Sequence, residues 1–129
     1  MQNTVYDKKT QIAIVDDDVN VRDFLERFLK MKGYTRVSPF GNGGAALEAI
    51  QKEDIKLVLL DIMLPDSNGV DVLRKIKALK ADVAVIMITG FPDEDKAKEA
   101  IKEGAYDYII KPFDLNYLEL SVLSKTFLA

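Results

Sequence analysis

The chain has 129 residues, of which 48% are hydrophobic and 30% charged, and its formal net charge is −3. That length fits one domain with a sizeable core, and the acidic balance argues against a nucleic-acid surface built from basic side chains. Cysteine and histidine are absent, which excludes disulfides, thiolate or imidazole catalysis and a Cys-type zinc site.

The first ten residues are polar and mixed in charge, without the apolar core of a signal peptide. The longest apolar run, 83–88, is far too short to cross a bilayer. We therefore predict a flexible leader over 1–10, a single domain over 11–129 and a cytoplasmic location without membrane contact. Whether that domain stands alone or was cut from a longer protein stays open.

Helical and strand-like periods alternate from the first strand to the end of the chain. The five predicted strands are 12–15, 34–37, 57–60, 83–88 and 106–110. The five predicted helices are centred on Phe24–Leu29, Ala46–Ile50, Val72–Leu79, Asp93–Gly104 and Leu115–Val122. Such alternation predicts an α/β fold, a doubly wound parallel sheet with helices on both faces.

The first helix shows the clearest two-sided pattern. Phe24, Leu25 and Phe28 recur at helical spacing, while charged residues, Arg22 among them, occupy the other face. Gly33 fits a C-terminal cap. The last helix is apolar around much of its circumference as far as Leu128 and lacks a stop signal, which suggests that it covers a partner or continues.

Polar residues follow four of these strands, at the point where each strand gives way to a loop. They are Asp16, Asp17, Asp61, Thr89 and Lys111. If the strands are parallel, all five gather at the carboxyl edge of the sheet, where open α/β sheets bind ligands. We therefore expect the functional site at this edge.

Three converging carboxylates are electrostatically costly. Two of them about 4 Å apart repel by about 4 kcal/mol at an effective dielectric constant of 20, so the group must raise a pKa or attract a cation. Mg²⁺ suits such a site because it prefers oxygen ligands. Helix capping is the alternative for Asp17 and Asp18, but it does not explain Asp61, which no helix follows directly.

Four segments together resemble the receiver domain of two-component response regulators. They are 14–18 (Ile-Val-Asp-Asp-Asp), 59–69 (Leu-Leu-Asp-Ile-Met-Leu-Pro-Asp-Ser-Asn-Gly), Thr89 and 108–113 (Tyr-Ile-Ile-Lys-Pro-Phe). Each motif alone is weak, but four in this order and spacing over residues 11–125 are specific. The resemblance implies a flavodoxin-like sheet of strand order 2-1-3-4-5.

The resemblance also implies a role for each residue of the cluster. Asp61 would accept a phosphoryl group from a phosphohistidine of a sensor histidine kinase or phosphotransfer protein. Asp17, Asp61 and the backbone carbonyl of Met63 would bind Mg²⁺ directly, and Asp16 would hold it through water. Lys111 would pair with Asp61 and then with the phosphoryl group, and the peptide bond after it is a candidate for the cis form.

A switch is implied as well. The Thr89 hydroxyl would move to the phosphoryl group and the Tyr108 ring would turn inward, reshaping the face of helix four, strand five and helix five. That face would then bind a downstream effector, an attached output domain or a second copy of the chain. Taken alone, a Thr at a strand end and a Tyr between apolar residues are more often simple packing.

Two details near the cluster depart from a bare receiver pattern. Gly90 follows Thr89, where Ala is usual, and this favours a looser loop. Met63 and Phe91 flank the expected site and would shield an acyl phosphate from water, so we predict slow intrinsic dephosphorylation.

Two other classes compete with the regulatory interpretation. Residues 16–18 resemble the aspartate nucleophile motif of haloacid-dehalogenase-type phosphatases, which would make Asp16 the acceptor, but Asn20 stands where that motif has Thr or Val. A pseudo-receiver that only binds partners is the third class, and the complete set of site residues argues against it.

Overall fold

The computed structural model describes residues 5–90 and 93–128. Its strands are β1 (Val5–Tyr6), β2 (Gln11–Val15), β3 (Val37–Phe40), β4 (Ile55–Asp61), β5 (Ala84–Thr89), β6 (Asp107–Ile110) and β7 (Phe127–Leu128). Its helices are α1 (Val19–Met31), α2 (Gly43–Lys52), α3 (Gly69–Leu79), α4 (Glu94–Lys102) and α5 (Leu115–Thr126).

Five parallel strands form the main sheet in the order β3-β2-β4-β5-β6. Counted among these five alone, the order is 2-1-3-4-5, so the predicted doubly wound fold is confirmed. The central strand β4 pairs with β2 on one side and β5 on the other. It is buried along nearly its whole length, as expected for a parallel strand covered on both faces.

Each face of the sheet has its own hydrophobic core. Alternate β4 side chains point to opposite faces, so Val58 and Leu60 join one core while Leu57 and Leu59 join the other. Helices α2, α3 and α4 cover the first core and α1 and α5 cover the second. The site residues are thereby held by a sheet that is packed on both sides.

Polar caps fix where four of the helices begin. The side chains of Asp18, Asn42, Asn68 and Asp93 each accept a hydrogen bond from a backbone N–H in the first turn, which stabilises a helix by typically about 1 kcal/mol. At the other end of α1, Gly33 has a φ of 100°. The predicted C-terminal cap is therefore present, in the left-handed conformation that glycine adopts without strain.

The predicted second strand was misplaced. The structure has this strand, β3, at 37–40 rather than 34–37, so Ser38 and Pro39 belong to the strand instead of a loop. Proline is tolerated because β3 lies at the edge of the sheet. Tyr34 is buried beneath it and its hydroxyl hydrogen-bonds to that of Thr126 at 2.6 Å.

The two ends of the described chain meet. Within the predicted leader, β1 pairs antiparallel with β7, and the Asp7 N–H donates to the carbonyl of Thr126 at 2.6 Å. Consequently α5 ends at Thr126, and Phe127–Leu128 continues as a strand, not as part of the expected helix. Among the described residues, no helix is both long and apolar enough to span a membrane.

Candidate functional site

The predicted polar residues lie together at the carboxyl edge of the sheet. Asp16 follows β2, Asp61 ends β4, Thr89 ends β5 and Lys111 follows β6. Because these strands are parallel and in register, their ends deliver four side chains to one place. The Lys111 N–H donates to the carbonyl of Thr89 at 2.7 Å, which fixes the lysine backbone to the neighbouring strand.

Asp16 is the most enclosed of the three carboxylates, with 2% of its surface exposed. Its Oδ1 accepts a hydrogen bond from the backbone N–H of Asp18 at 2.9 Å. Its Oδ2 accepts one from the Lys111 ammonium, also at 2.9 Å. Both oxygens are thus committed, which limits the rotation of the side chain.

Asp61 shares the same ammonium group. Its Oδ2 lies 3.3 Å from the Lys111 Nζ, and its Oδ1 accepts the Met63 N–H at 3.0 Å. Asp17 is exposed, but one of its carboxylate oxygens lies within 4.8 Å of oxygens from Asp16 and Asp61. The structure therefore brings the three predicted acidic residues and the lysine into one cluster.

Burial and charge shift the pKa values of this cluster. Burial raises the pKa of the Asp61 carboxyl, and the neighbouring Asp16 charge raises it further, while the Met63 N–H and the Lys111 ammonium act in the opposite direction without cancelling the rise. Burial would lower the pKa of Lys111, but its bond to Asp16 and the charges of both carboxylates raise it overall. Lys111 therefore stays charged and offsets part of the repulsion between the two carboxylates.

The cluster forms one wall of an open cavity of about 530 Å³. The cavity is also lined by Val21, Met63, Leu64, Pro65 and Gly90. Met63 is 52% exposed, so its side chain lies at the mouth. A phosphoryl group and a hydrated ion fit this space, and both would meet the acidic cluster directly.

The donor chemistry of this site fits a divalent cation that prefers oxygen. One oxygen from each of three carboxylates can approach a common point. Within residues 5–90 and 93–128, the Lys111 ammonium is the only one that contacts two of them. Mg²⁺ binds through few carboxylates and keeps several waters. The open cavity beside Asp17 leaves room for such waters.

The expected switch residues lie on neighbouring strands. Thr89 is fully buried, and Tyr108 on β6 packs partly buried against the core beneath α2, α3 and α4. The Tyr108 hydroxyl is buried without a hydrogen bond to any described residue. Burial raises the pKa of this phenol, although the Asp93 backbone N–H is near enough to oppose the rise without reaching hydrogen-bond geometry.

Two further expectations concern the loops around the site. The Lys111–Pro112 peptide bond is cis, as the sequence suggested. Gly90 is exposed and lines the cavity. Phe91 lies outside the described residues, so the shielding role predicted for it stays a prediction.

One contact at the site was missed by the sequence analysis. Arg22 belongs to the polar face of α1, but its guanidinium turns back and donates from Nη1 to the backbone carbonyl of Asp16 at 2.8 Å. Its six-residue distance from Asp16 gave no recognisable motif. A positive residue in the first turn of a helix was the available signal, because the helix dipole disfavours it there.

The fold and the pocket define a doubly wound α/β protein with a cluster of carboxylates and one ammonium group at the carboxyl edge of its sheet. A family model described as the response regulator receiver domain matches residues 12–123. The chain therefore belongs to the response regulator receiver domain family.

Known proteins agree with this assignment. Over 115 residues the chain is 36% identical to the transcriptional regulatory protein ZraR of Klebsiella oxytoca, a match covering 89% of this chain and 26% of that protein. The chain thus spans about a quarter of the length of the curated relatives it matches.

Solved structures share the fold. A CheY-like response regulator receiver domain protein from Methanospirillum hungatei JF-1 superposes with a TM-score of 0.87 at 32% identity, covering 92% of this chain and 94% of that one. A response regulator protein from Burkholderia pseudomallei superposes with a TM-score of 0.80 at 25% identity, covering 89% and 66%. The latter was solved with a phosphorylated aspartic acid, a calcium ion and citrate.

Proposed function

We propose that this receiver domain is a phospho-acceptor switch in which Asp61 takes the phosphoryl group. One observation carries the proposal: the Lys111 ammonium joins the Asp16 and Asp61 carboxylates in the wall of an open cavity, with Asp17 beside them. Asp61 ends the central strand and faces that cavity. A relative with a phosphorylated aspartic acid supports the same chemistry here.

The transfer forms one bond and breaks another. An oxygen of the ionised Asp61 carboxylate attacks phosphorus, a P–O bond forms, and the P–N bond to a phosphohistidine of the partner kinase or phosphotransfer protein breaks. The electron pair of that bond leaves with the imidazole nitrogen. The chain's contribution is positioning and charge neutralisation, which dominate catalysis of phosphoryl transfer.

Lys111 and the acidic residues have separate tasks in this proposal. The Lys111 ammonium, held by Asp16, moves its second bond from the Asp61 oxygen to an oxygen of the incoming phosphoryl group. Asp17, Asp61 and the Met63 carbonyl would hold Mg²⁺, with Asp16 acting through water. Bound there, Mg²⁺ supplies charge neutralisation for the phosphoryl oxygens.

The output would arise on the face made by α4, β6 and α5. A phosphoryl group on Asp61 offers new acceptor oxygens, and the buried Thr89 hydroxyl is the donor on the adjacent strand. Movement of Thr89 would change the packing of Tyr108. Tyr108 and Ile110 both lie beside α4, so this change would reach the face made by α4, β6 and α5. A downstream effector, an output domain or a second copy would bind there, whereas this acidic segment would bind neither nucleic acid nor membrane.

Labelling identifies the acceptor. The protein is treated with acetyl phosphate with and without Mg²⁺, and the residue that carries the acyl phosphate is found by peptide mass spectrometry. We expect a Mg²⁺-dependent adduct on Asp61 that Asp61→Asn abolishes. Asp54→Asn is the matched control, since Asp54 immediately precedes β4, at the end opposite to Asp61, and should label normally.

The competing classes give different results in the same experiment. An adduct on Asp16, with turnover of a phosphomonoester, would support the phosphatase class instead. No adduct at any Mg²⁺ concentration, with a folded protein, would support a pseudo-receiver that only binds partners.

A further inference from the structure

We propose that Arg22 is a positioning residue for the acidic pocket, acting through the peptide that joins Asp16 to Asp17, with Gly41 providing the space it needs. The proposal rests on the proposed function only for the role of this pocket as a Mg²⁺ site. The contact itself links α1 to the end of β2.

The contact holds one peptide plane that carries two of the three carboxylates. Arg22 Nη1 donates to the Asp16 carbonyl at 2.8 Å. The peptide unit before it is held separately, because the Asp16 N–H donates to the Phe40 carbonyl at 3.1 Å. A peptide unit is planar from one Cα to the next. Holding the Asp16 carbonyl therefore also holds the position of the Asp17 Cα, from which the exposed carboxylate side chain extends.

Asp17 depends on this plane more than its neighbours do. The side chains of Asp16 and Asp61 are each held at both oxygens by other groups. Among the described residues, the Asp17 side chain has no hydrogen bond or ion pair of its own. No side-chain contact with a described residue holds it near the other two carboxylates, so the placement of its backbone matters more for Asp17 than for its neighbours.

Helix stability does not account for an arginine at this place. Arg22 lies in the first turns of α1, where its N–H makes an early helical bond to the Asp18 carbonyl, and a positive charge there opposes the helix dipole. Within the described parts of the chain, Arg22 forms no ion pair. Its guanidinium is instead used on a neutral carbonyl at the edge of the pocket.

A second observation points to the same arrangement. A Cβ added at Gly41 would lie 3.1 Å from Arg22 Nη1 and 3.7 Å from its Cζ. Gly41 follows β3 directly. The end of β3 therefore leaves space for the Arg22 side chain, which contacts the end of the neighbouring strand β2. Any larger residue at 41 must displace the guanidinium by some tenths of an ångström.

Binding of Mg²⁺ alone, followed by calorimetry, tests the proposal on the intact chain. We expect Arg22→Ala to weaken Mg²⁺ binding about tenfold, the usual effect of removing a group that orients a metal ligand. Arg22→Lys should weaken it less, and Gly41→Ala should weaken it in the same direction. Arg27→Ala is the matched control, because it removes the same charge from the exposed face of the same helix.

The sign separates positioning from charge. Losing a positive charge beside three carboxylates strengthens cation binding, so a charge effect would tighten the binding of Mg²⁺ in Arg22→Ala and, more weakly, in Arg27→Ala. Positioning predicts weaker binding in Arg22→Ala and no weakening in Arg27→Ala. In the double variant Arg22→Ala/Gly41→Ala, the Gly41 substitution should cause no further loss of Mg²⁺ affinity, because the guanidinium that it would displace is absent.

Several results would overturn the proposal. They are unchanged or tighter Mg²⁺ binding in Arg22→Ala, equal weakening in Arg27→Ala, or fully additive losses in the double variant. Should Arg22→Ala not fold, Arg22→Lys and Gly41→Ala still decide the question. Labelling of Asp61 in the wild-type protein is measured in parallel, so a failure of the phospho-acceptor proposal is recognised separately.

Discussion

At the scale of single residues, the Tyr108 hydroxyl is a buried polar group without a partner among the described residues. Leaving such a group unpaired costs about 1–3 kcal/mol. Tyr108→Phe should therefore raise the free energy of unfolding by about 1 kcal/mol, measured by urea denaturation. Tyr106→Phe is the contrasting control, since that exposed hydroxyl bonds to the hydroxyl of Ser124. A clear loss of stability in Tyr108→Phe would indicate a hydrogen bond through water.

The raised pKa of Asp61 has a consequence for stability in the absence of metal. Since burial makes the folded state bind this proton more tightly than the unfolded state does, stability falls as the pH rises through the folded pKa. Asp61→Asn removes that loss. With a chelator present, the variant should melt at a higher temperature than the wild type at about pH 8 and should lose this gain below the ordinary Asp pKa of about 4.

The control for this comparison is Asp54→Asn, which changes an exposed carboxylate. It should show no comparable gain at high pH. If Asp61→Asn melts lower than the wild type at about pH 8, burial of the Asp61 charge and its repulsion by Asp16 cost less than the bond to Lys111 contributes.

Met63 lies half-exposed at the mouth of the cavity, where its side chain would hinder water from reaching an acyl phosphate. Met63→Asn should shorten the lifetime of phosphorylated Asp61 several-fold, followed by the loss of label after acetyl phosphate is removed. Met31→Asn changes a methionine that is 77% exposed at the end of α1 and should leave the lifetime unchanged. Equal lifetimes in all three proteins would remove the shielding role.

At the scale of secondary-structure elements, the start of α3 packs directly on the end of β4. A Cβ at Gly69 would lie 2.5 Å from the Ile62 Cα and 2.6 Å from the Asp61 carbonyl oxygen, both of them backbone atoms. Gly69→Ala must displace the strand end that carries Asp61. We expect a loss of about 2 kcal/mol in stability, as for overpacking generally, together with slower labelling of Asp61.

Gly44→Ala is the matched control for that substitution. Gly44 is exposed in the first turn of α2, and the nearest atom to an added Cβ is the Asn42 Oδ1 at 3.5 Å. Alanine is favoured over glycine in a helix by up to about 1 kcal/mol, so this variant should be as stable as the wild type or more so. Equal effects of the two substitutions would contradict the close packing at Gly69.

The elements also show what the sequence could and could not predict. Long periodic segments such as α1 and the doubly buried β4 were predictable because hydrophobic spacing alone determines them. Strand β3 was misplaced because Ser38 and Pro39 are typical of loops, and only its edge position makes them acceptable. The pairing of β1 with β7 left no signal, since two-residue strands are too short to show a period.

The candidate site likewise contains residues that the sequence predicts and one that it does not. Its acidic residues and lysine were predictable because each follows an apolar run and parallel strands end at one edge. The return of Arg22 to the Asp16 carbonyl was not, since charge patterning assigns such a residue to solvent. The direction of a long, flexible side chain is not determined by sequence spacing, so contacts of this kind are visible only in the three-dimensional structure.

At the scale of the whole molecule, a buried hydrogen bond links distant parts of the chain. Tyr34 and Thr126 are both buried, and their hydroxyls lie 2.6 Å apart. Tyr34→Phe should lower the free energy of unfolding by about 1 kcal/mol, the usual net worth of one hydrogen bond. Thermal and urea denaturation measure this loss.

A double-mutant cycle assigns the effect to this pair. Thr126→Val should cost less in the Tyr34→Phe background than in the wild type. Tyr117→Phe serves as the exposed comparison, because its hydroxyl bonds to Asp107 at the surface, and should change stability little. Additive losses for Tyr34→Phe and Thr126→Val would mean that the two hydroxyls act independently.

The meeting of β1 and β7 places both described ends of the chain near the amino ends of the strands, where Asp7, Ala84 and Thr126 line a common cavity. The acidic pocket opens at the opposite edge, and seven residues of β4 separate the two by about 20 Å. A fluorophore or affinity tag attached near Val5 or Leu128 would thus leave the entrance for a phosphodonor clear. A pair of dyes placed at those two positions would report separation of the ends without touching the chemistry.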